Sequence, residues 1–233
     1  MGCDFGKKEK EVDKNNELKT SVIDIVMEND NANNDIHNLD YYQKLEQQEL
    51  NGIKEDDSSY ANYSTDIFQI INKIRLKPQQ YADFIEDSME NIVESGEDEK
   101  KKICFKKQIK VALNRGEPAF REAAKKLREI DSLPPLIFKE ELCVPLPSSQ
   151  SDIMNTNYLK NKVTQMRQSI KIDAYFKELV KSPKISALLM MVDDNMENSG
   201  KKRMLLLSNE LKNIGISSGF VDGTFVAYYT FSR

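Results

Sequence analysis

The sequence is almost without histidine. His37 is the only one among 233 residues, and because it lies in an Asn/Asp-rich stretch, we expect a solvated side chain rather than a ligand or a general base. From residue 60 onward there is none. A Ser-His-acid triad is therefore excluded in that part of the chain, and Ser148, Ser149 and Ser151 have no imidazole base there.

Cysteine is also scarce. Cys3, Cys104 and Cys143 are scattered and odd in number, which fits neither a disulfide framework nor the paired spacing of a zinc site. The pattern predicts a reducing, cytosolic compartment. Without a histidine partner, Cys104 and Cys143 are not expected to act as catalytic thiols.

Several other signals are missing. No apolar run approaches the length of a transmembrane helix, and no apolar core follows Met1, so neither a membrane span nor a secretory signal peptide is expected. No glycine-rich phosphate-binding motif occurs, so nothing supports nucleotide binding. No basic run is interleaved with aromatic residues, so no nucleic acid partner is expected.

The first residues suggest lipidation. The chain opens Met1-Gly2-Cys3, so loss of the methionine would expose Gly2 for myristoylation, and Cys3 stands where palmitate is often added. Two acyl chains give a stable anchor, whereas one gives only marginal binding. Gly6 departs from the usual Ser or Thr, and the alternative is an ordinary terminus. We expect a cytoplasmic protein held as a peripheral protein at the cytosolic face of a membrane.

Charge divides the chain into two parts. Residues 1–57 hold 7 Lys against 15 Asp or Glu, a net charge of −8, so the remainder carries +4 of the total of −4. Low hydrophobicity with high net charge predicts a disordered tail over residues 1–59. Residues 60–233 are expected to form the folded domain.

Helical apolar stripes recur through this domain, each with a start signal. Residues 97–116 are charged and predict a surface loop, and residues 170–181 fit either a strand or a helix. The predicted helices begin at Ser64-Thr65-Asp66, Pro78, Glu117-Pro118, Ser148 or Ser149, and Ser182-Pro183.

The chain ends in a strand pattern. Residues 213–217 predict one strand and Asp222-Gly223 is a hairpin signal. Residues 224–231 predict a second strand whose side chains alternate between two faces, with Phe225, Ala227, Tyr229 and Phe231 on one and Thr224, Val226, Tyr228 and Thr230 on the other. Helices followed by a terminal antiparallel pair indicate an α+β fold in which helices pack on a small antiparallel sheet.

The order of these features resembles the CAP superfamily (cysteine-rich secretory, antigen 5 and pathogenesis-related-1 proteins, also called SCP domains). The resemblance runs discontinuously over residues 64–233. It is carried by Asn72, Arg75, Pro78 and Tyr81, by LPPLIFKEEL (133–142), and by VDDN followed by GKKRMLLLSNELKNIGISSG (200–219). It implies a CAP-like α-β-α sandwich.

The resemblance also implies a cavity with two histidines and two acids able to hold a divalent cation, and here the chain departs from it. Gln150 or Ser151 stands in the region of the first histidine, and Lys201 and Lys202 stand in that of the second. A lysine ammonium has no lone pair for a metal. No metal or other cofactor is expected, and the resemblance instead implies a non-catalytic module that binds a lipid or a protein.

Alternatives stay open for the charged residues near the late glycine. Asp193, Asp194 and Glu197, with Lys201, could serve a divergent hydrolase, or they could simply end a helix and form a turn. The triplet Lys201, Lys202 and Arg203 could contact an anion or a lipid headgroup, or it could be a solvated basic turn. A third reading is a helical scaffold or adaptor without a CAP fold.

Overall fold

The structure is a computed structural model that describes residues 62–94, 101–105, 109–194 and 200–233. The predicted disordered tail, with Gly2, Cys3 and His37, lies outside the described residues, as does Glu197. Over residues 101–105 and 109–110 the description concerns the backbone.

The described residues contain seven α-helices, and none is long and apolar enough to cross a membrane. They are α1 (Tyr63–Leu76), α2 (Pro78–Ser88), α3 (Glu117–Arg128), α4 (Gln150–Met154), α5 (Thr156–Met166), α6 (Pro183–Val192) and α7 (Lys201–Leu206). Short 3₁₀ turns cover Met89–Asn91 and Glu140–Leu142.

Local start signals place several of these helices correctly. Ser182 caps α6 by accepting a hydrogen bond from the Ile185 amide at 3.5 Å, and α3 begins at the predicted Glu117. The single helix predicted to begin at Ser148 or Ser149 is two helices, α4 and α5. Asn155 has an extended backbone that ends α4, and its side chain then caps α5.

Seven strands form two sheets among the described residues. The larger has the order β4-β6-β7-β5, and the smaller has the order β1-β2-β3. The strands are β1 (Ile92–Glu94), β2 (Lys101–Phe105), β3 (Ile109–Ala112), β4 (Ile137–Phe138), β5 (Ala174–Glu178), β6 (Asn213–Val221) and β7 (Thr224–Ser232).

The larger sheet is mixed, which corrects the expectation of an antiparallel one. Strands β5, β7 and β6 are antiparallel, but β4 runs parallel to β6, with Ile137 opposite Asn213. Parallel neighbours need a long crossover, and the chain between β4 and β6 supplies it. The 170–181 region resolves as strand β5.

The predicted hairpin between β6 and β7 is confirmed. Asp222 and Gly223 have φ values of 49° and 77°, both in the left-handed region that this two-residue turn requires. The following alternation is confirmed too, because β7 divides its side chains between two separate buried clusters.

These clusters lie on opposite faces of the sheet, so helices cover it on both sides. We name the side with Phe225, Ala227, Tyr229 and Phe231 face A, and the side with Val226 and Tyr228 face B. On face A the sheet packs with α1, α2, α3, α6 and α7. On face B it packs with α4 and α5, through Ile153, Leu159 and Val163.

The smaller sheet corrects the prediction of a loop over residues 97–116. Strand β2 pairs antiparallel with β1 and with β3, and this places Ile92, Ile103 and Val111 in one row across the sheet. The two lysines of β2, Lys101 and Lys102, are adjacent, so the sequence shows no regular alternation in this strand. The dense charge instead suggested a loop.

Candidate functional site

The region after α6 is organised by Asp193. This residue ends α6 in a left-handed conformation (φ 45°), and its Oδ2 accepts a hydrogen bond from the Lys202 amide at 2.9 Å. Gly200 also has a positive φ, 82°, and a Cβ there would lie 2.8 Å from Nη2 of Arg203. Carboxylate and glycine together set the start of α7 against the end of α6.

The Lys202 side chain is buried on face A. Its Nζ bonds to Oε1 of Glu178, and both side chains are only 7% exposed. The ammonium also lies 5.7 Å from the ring centroid of Phe176. An ammonium and a carboxylate are therefore paired inside the apolar core.

Arg203 is buried beside it and joins α6 to α3. Its Nη1 donates to the carbonyls of Met191 at 2.8 Å and Val192 at 3.2 Å, and its Nη2 bonds to Glu122 at 2.7 Å. The pKa of the Glu122 carboxyl is lowered by a hydrogen bond from Arg115 and by the charge of Arg203. Arg203 thus ties two helix segments together.

The burial of Lys202 and Arg203 corrects the expectation of a solvated basic turn. Lys202 and Arg203 are 6% and 5% exposed, and carboxylates or carbonyls already occupy their nitrogens. The anion or headgroup contact stays a prediction only for Lys201, which is half-buried at the first position of α7.

Three hydroxyl groups meet on the same face. The Tyr63 hydroxyl donates to Ser186 Oγ at 2.9 Å and lies 2.9 Å from the Tyr229 hydroxyl. Burial raises the pKa of both tyrosines far above the ordinary value, and the charge of Glu178 adds to this. The phenols therefore stay neutral. We call Tyr63, Glu178, Ser186, Lys202 and Tyr229 the polar cluster.

The two aspartates after α6 have different partners. Both Oδ atoms of Asp194 accept backbone hydrogen bonds, from Asn114 at 2.6 Å and Arg115 at 2.8 Å. Burial raises the pKa of the Asp194 carboxyl, and these hydrogen bonds oppose the rise. Since Asp193 holds α7 and Asp194 holds the segment before α3, each carboxylate has a structural role.

Gln150, which stands where the resemblance implies the first histidine, lies elsewhere in the fold. The Gln150 amide donates to Asp222 Oδ2 at 3.0 Å, and its side chain donates to Thr224 Oγ1 at 3.0 Å. Ser149 Oγ caps α4 by accepting from the Asp152 amide. Gln150 therefore fastens α4 to the β6–β7 hairpin, and no hydrogen bond links it to the polar cluster within the part of the chain that the structure describes.

Most of the polar cluster was not found from the sequence. Tyr63 lies before the predicted start of the first helix at Ser64, Ser186 lies in a predicted helix without an assigned role, and Glu178 lies in a segment whose type was undecided. Among the described residues, no three His, Cys, Asp or Glu side chains gather closely enough to hold a metal ion.

One cavity is separate from this cluster. It has a volume of about 510 Å³ and is lined by the loop of residues 167–173 between α5 and β5. Arg167 closes this loop by donating to the Ile172 carbonyl at 2.9 Å. A cavity formed by one short loop offers few convergent polar groups.

Comparison with known proteins adds no relative: no protein-family model, no curated protein and no solved structure matches the chain.

Proposed function

We propose that this protein is a non-catalytic binding module with a CAP-like sandwich, held at the cytosolic face of a membrane by acylation of Gly2 and Cys3. Its partner is a lipid or another protein. The observation that carries the proposal is the buried ion pair between Lys202 and Glu178.

The chemistry of this pair supports a binding role. The resemblance implies a metal-binding histidine near the late glycine, and Lys202 stands in that neighbourhood. Its ammonium offers no lone pair, and it supplies Glu178 with a positive charge in place of an external cation. Asp193 and Asp194 bond to backbone amides, so they hold the fold rather than activate a water.

The membrane half of the proposal rests on the first residues of the sequence. A myristoyl chain on Gly2 alone would bind reversibly, and a second chain on Cys3 would make the anchor stable. The residues between this end and the domain number about sixty, and a flexible chain of that length has an end-to-end distance of roughly 40 Å. The domain could therefore reach partners at or near the bilayer.

Fractionation of cells tests the tether. We expect the wild-type protein in the membrane fraction and a Gly2→Ala variant in the soluble fraction, with Cys3→Ser divided between them because one chain binds only marginally. Lys14→Ala in the same tail is the control and should behave as wild type. A Gly2→Ala variant that stays with membranes would refute the tether.

Native mass spectrometry of the same protein tests the absence of catalytic metal. We expect mass added by acyl chains and no stoichiometric metal. A bound metal that disappears in a Glu178→Gln variant would overturn the binding-only proposal, whatever the fractionation shows.

A further inference from the structure

The solvent side of α5 and of the loop after it carries cations without acids. Residues 157–172 contain four lysines or arginines and no Asp or Glu. We call them the basic segment. Three of its cations, Lys160, Arg167 and Lys171, are exposed. The other exposed residues from Asn161 to Ser169 are uncharged and polar: Asn161, Thr164, Gln165, Gln168 and Ser169. The basic segment therefore presents charge of one sign to solvent.

The acids next to this segment in sequence have other partners. Asp152 Oδ2 accepts a hydrogen bond from Ser149 Oγ at 3.0 Å, at the start of α4. Asp173 is buried, and its Oδ2 accepts from the Arg233 amide at 2.8 Å. The Arg233 side chain lies 3.8 Å from Asp173 and 3.3 Å from Glu210, so both carboxylates face a cation at the end of β7.

Arg167 is held in place although it is exposed. Its Nε donates to the Ile172 carbonyl, and its guanidinium carbon lies 5.9 Å from the ring centroid of Tyr175. An arginine that is held at Nε can bind two oxygens of one phosphate through its Nη groups. Arg167 and Lys171 also line the same cavity of about 510 Å³. A positioned arginine and a lysine at one concave surface suit an anionic group.

The cations extend beyond this cavity along the helix. Lys160 and Arg167 are seven residues apart, which is close to two turns, so they lie on the same side of α5 and about 10 Å apart along its axis. Lys171 follows in the loop. Such a row is longer than one small anion, and it fits a surface that carries many anions better than a single soluble one.

We propose that the basic segment binds the headgroups of an anionic lipid leaflet. The inference rests on the proposed membrane tether and names the surface that meets the bilayer. Cations near an anionic leaflet are attracted to it, and a tethered domain meets that leaflet at high effective concentration. The whole chain carries a net charge of −4, so its attraction to an anionic membrane requires a local cationic surface. The basic segment would then orient face B toward the bilayer.

Vesicle sedimentation tests this with the full-length chain produced without acylation. The probes are vesicles of phosphatidylcholine alone and vesicles that also contain phosphatidylserine. We expect binding only to the anionic vesicles and release at high salt. Each neutralised lysine should lower binding about fivefold, so the double variant Lys160→Gln/Lys171→Gln should bind more than tenfold more weakly.

Two further variants locate the effect. Lys160→Arg/Lys171→Arg keeps the charge and should bind like wild type, which separates charge from damage to the fold. Lys77→Gln/Lys125→Gln makes the same charge change at exposed residues of the layer that covers face A, and it should also bind like wild type. Circular dichroism confirms that each variant is folded.

Three results would overturn the inference. The first is absence of the unacylated wild type from the anionic vesicle pellet. In that case, saturable binding of inorganic phosphate in calorimetry would assign the basic segment to a soluble anion, and retention on immobilised polyglutamate would assign it to an acidic protein. The second is an equal loss of binding in the Lys77/Lys125 variant. The third is binding that does not respond to salt. None of them bears on the acyl tether, which fractionation of the Gly2→Ala variant tests separately.

Discussion

Strand β5 places two neighbouring charged residues on opposite faces of the sheet, and the two residues have different kinds of partner. On face A, Glu178 is buried with Lys202 as a complete ion pair. On face B, Lys177 is half-buried and donates to the Ile153 carbonyl at 2.6 Å. Burial lowers the pKa of the Lys177 ammonium. The comparison teaches that on this strand the buried carboxylate of Glu178 has a counter-charge, whereas the half-buried ammonium of Lys177 is held by a carbonyl dipole.

The largest loss of stability is expected from breaking the ion pair between Glu178 and Lys202 on face A. Glu178→Ala should lower the free energy of unfolding by about 3–5 kcal/mol, because the Lys202 ammonium would be left buried without a counter-charge. Urea denaturation measures this loss.

A double variant separates the pair from its surroundings. Glu178→Leu with Lys202→Met removes both charges and should recover most of the stability, since a well-packed apolar pair can replace a buried ion pair. A loss below about 1 kcal/mol for Glu178→Ala would mean that the pair behaves like an exposed one, and the contrast between the faces would fail.

An intermediate loss of stability is expected from a substitution that disturbs close packing on face B. A Cβ at Gly215 would lie 2.5 Å from the carbonyl carbon of Leu142, where backbone cannot easily move aside. Gly215→Ala should cost about 1–3 kcal/mol in thermal or urea unfolding. Gly219→Ala is the matched control, because its Cβ would meet only the flexible end of Leu146 at 2.8 Å. Equal losses of stability in the two variants would show that a general backbone effect of replacing glycine in a strand, and not the contact with Leu142, determines the cost.

The smallest effect concerns the pH dependence from Lys177. Its pKa in the folded protein is lowered, while in the unfolded chain it is about 10.4. Between these values the unfolded state binds more protons, so the contribution of Lys177 to stability rises with pH. The increase in urea midpoint from neutral to alkaline pH should be smaller in Lys177→Met than in wild type. Parallel curves for the two proteins would contradict the lowered pKa.

Some of the fold could be predicted because its signals are local. The Asp222-Gly223 turn, the start of α3 at Glu117 and the cap at Ser182 depend on residues a few positions apart. The small sheet was missed because the charge of residues 97–116 suggested a solvated loop. The backbone pairing shows instead that β2 pairs with both β1 and β3, although its adjacent Lys101 and Lys102 give no alternating pattern in the sequence.

The candidate site could be predicted less well. Lys202 was noted for its position after Gly200, but its burial was not foreseen. Its partner Glu178 lies 24 residues away on a strand that was left undecided. The hydroxyl contact of Tyr63 with Ser186 spans 123 residues. No local pattern in the sequence predicts contacts between residues so far apart.

The sequence by itself determined the starts of α2, α3, α4 and α6, the terminal hairpin and the exclusion of histidine chemistry after residue 37, because composition and local backbone preference suffice for these. Only the tertiary structure decided that β4 runs parallel to β6, and that Lys202 and Arg203 lie inside with carboxylate partners. The physical reason is that a charge is exposed or buried according to which distant segment packs over it.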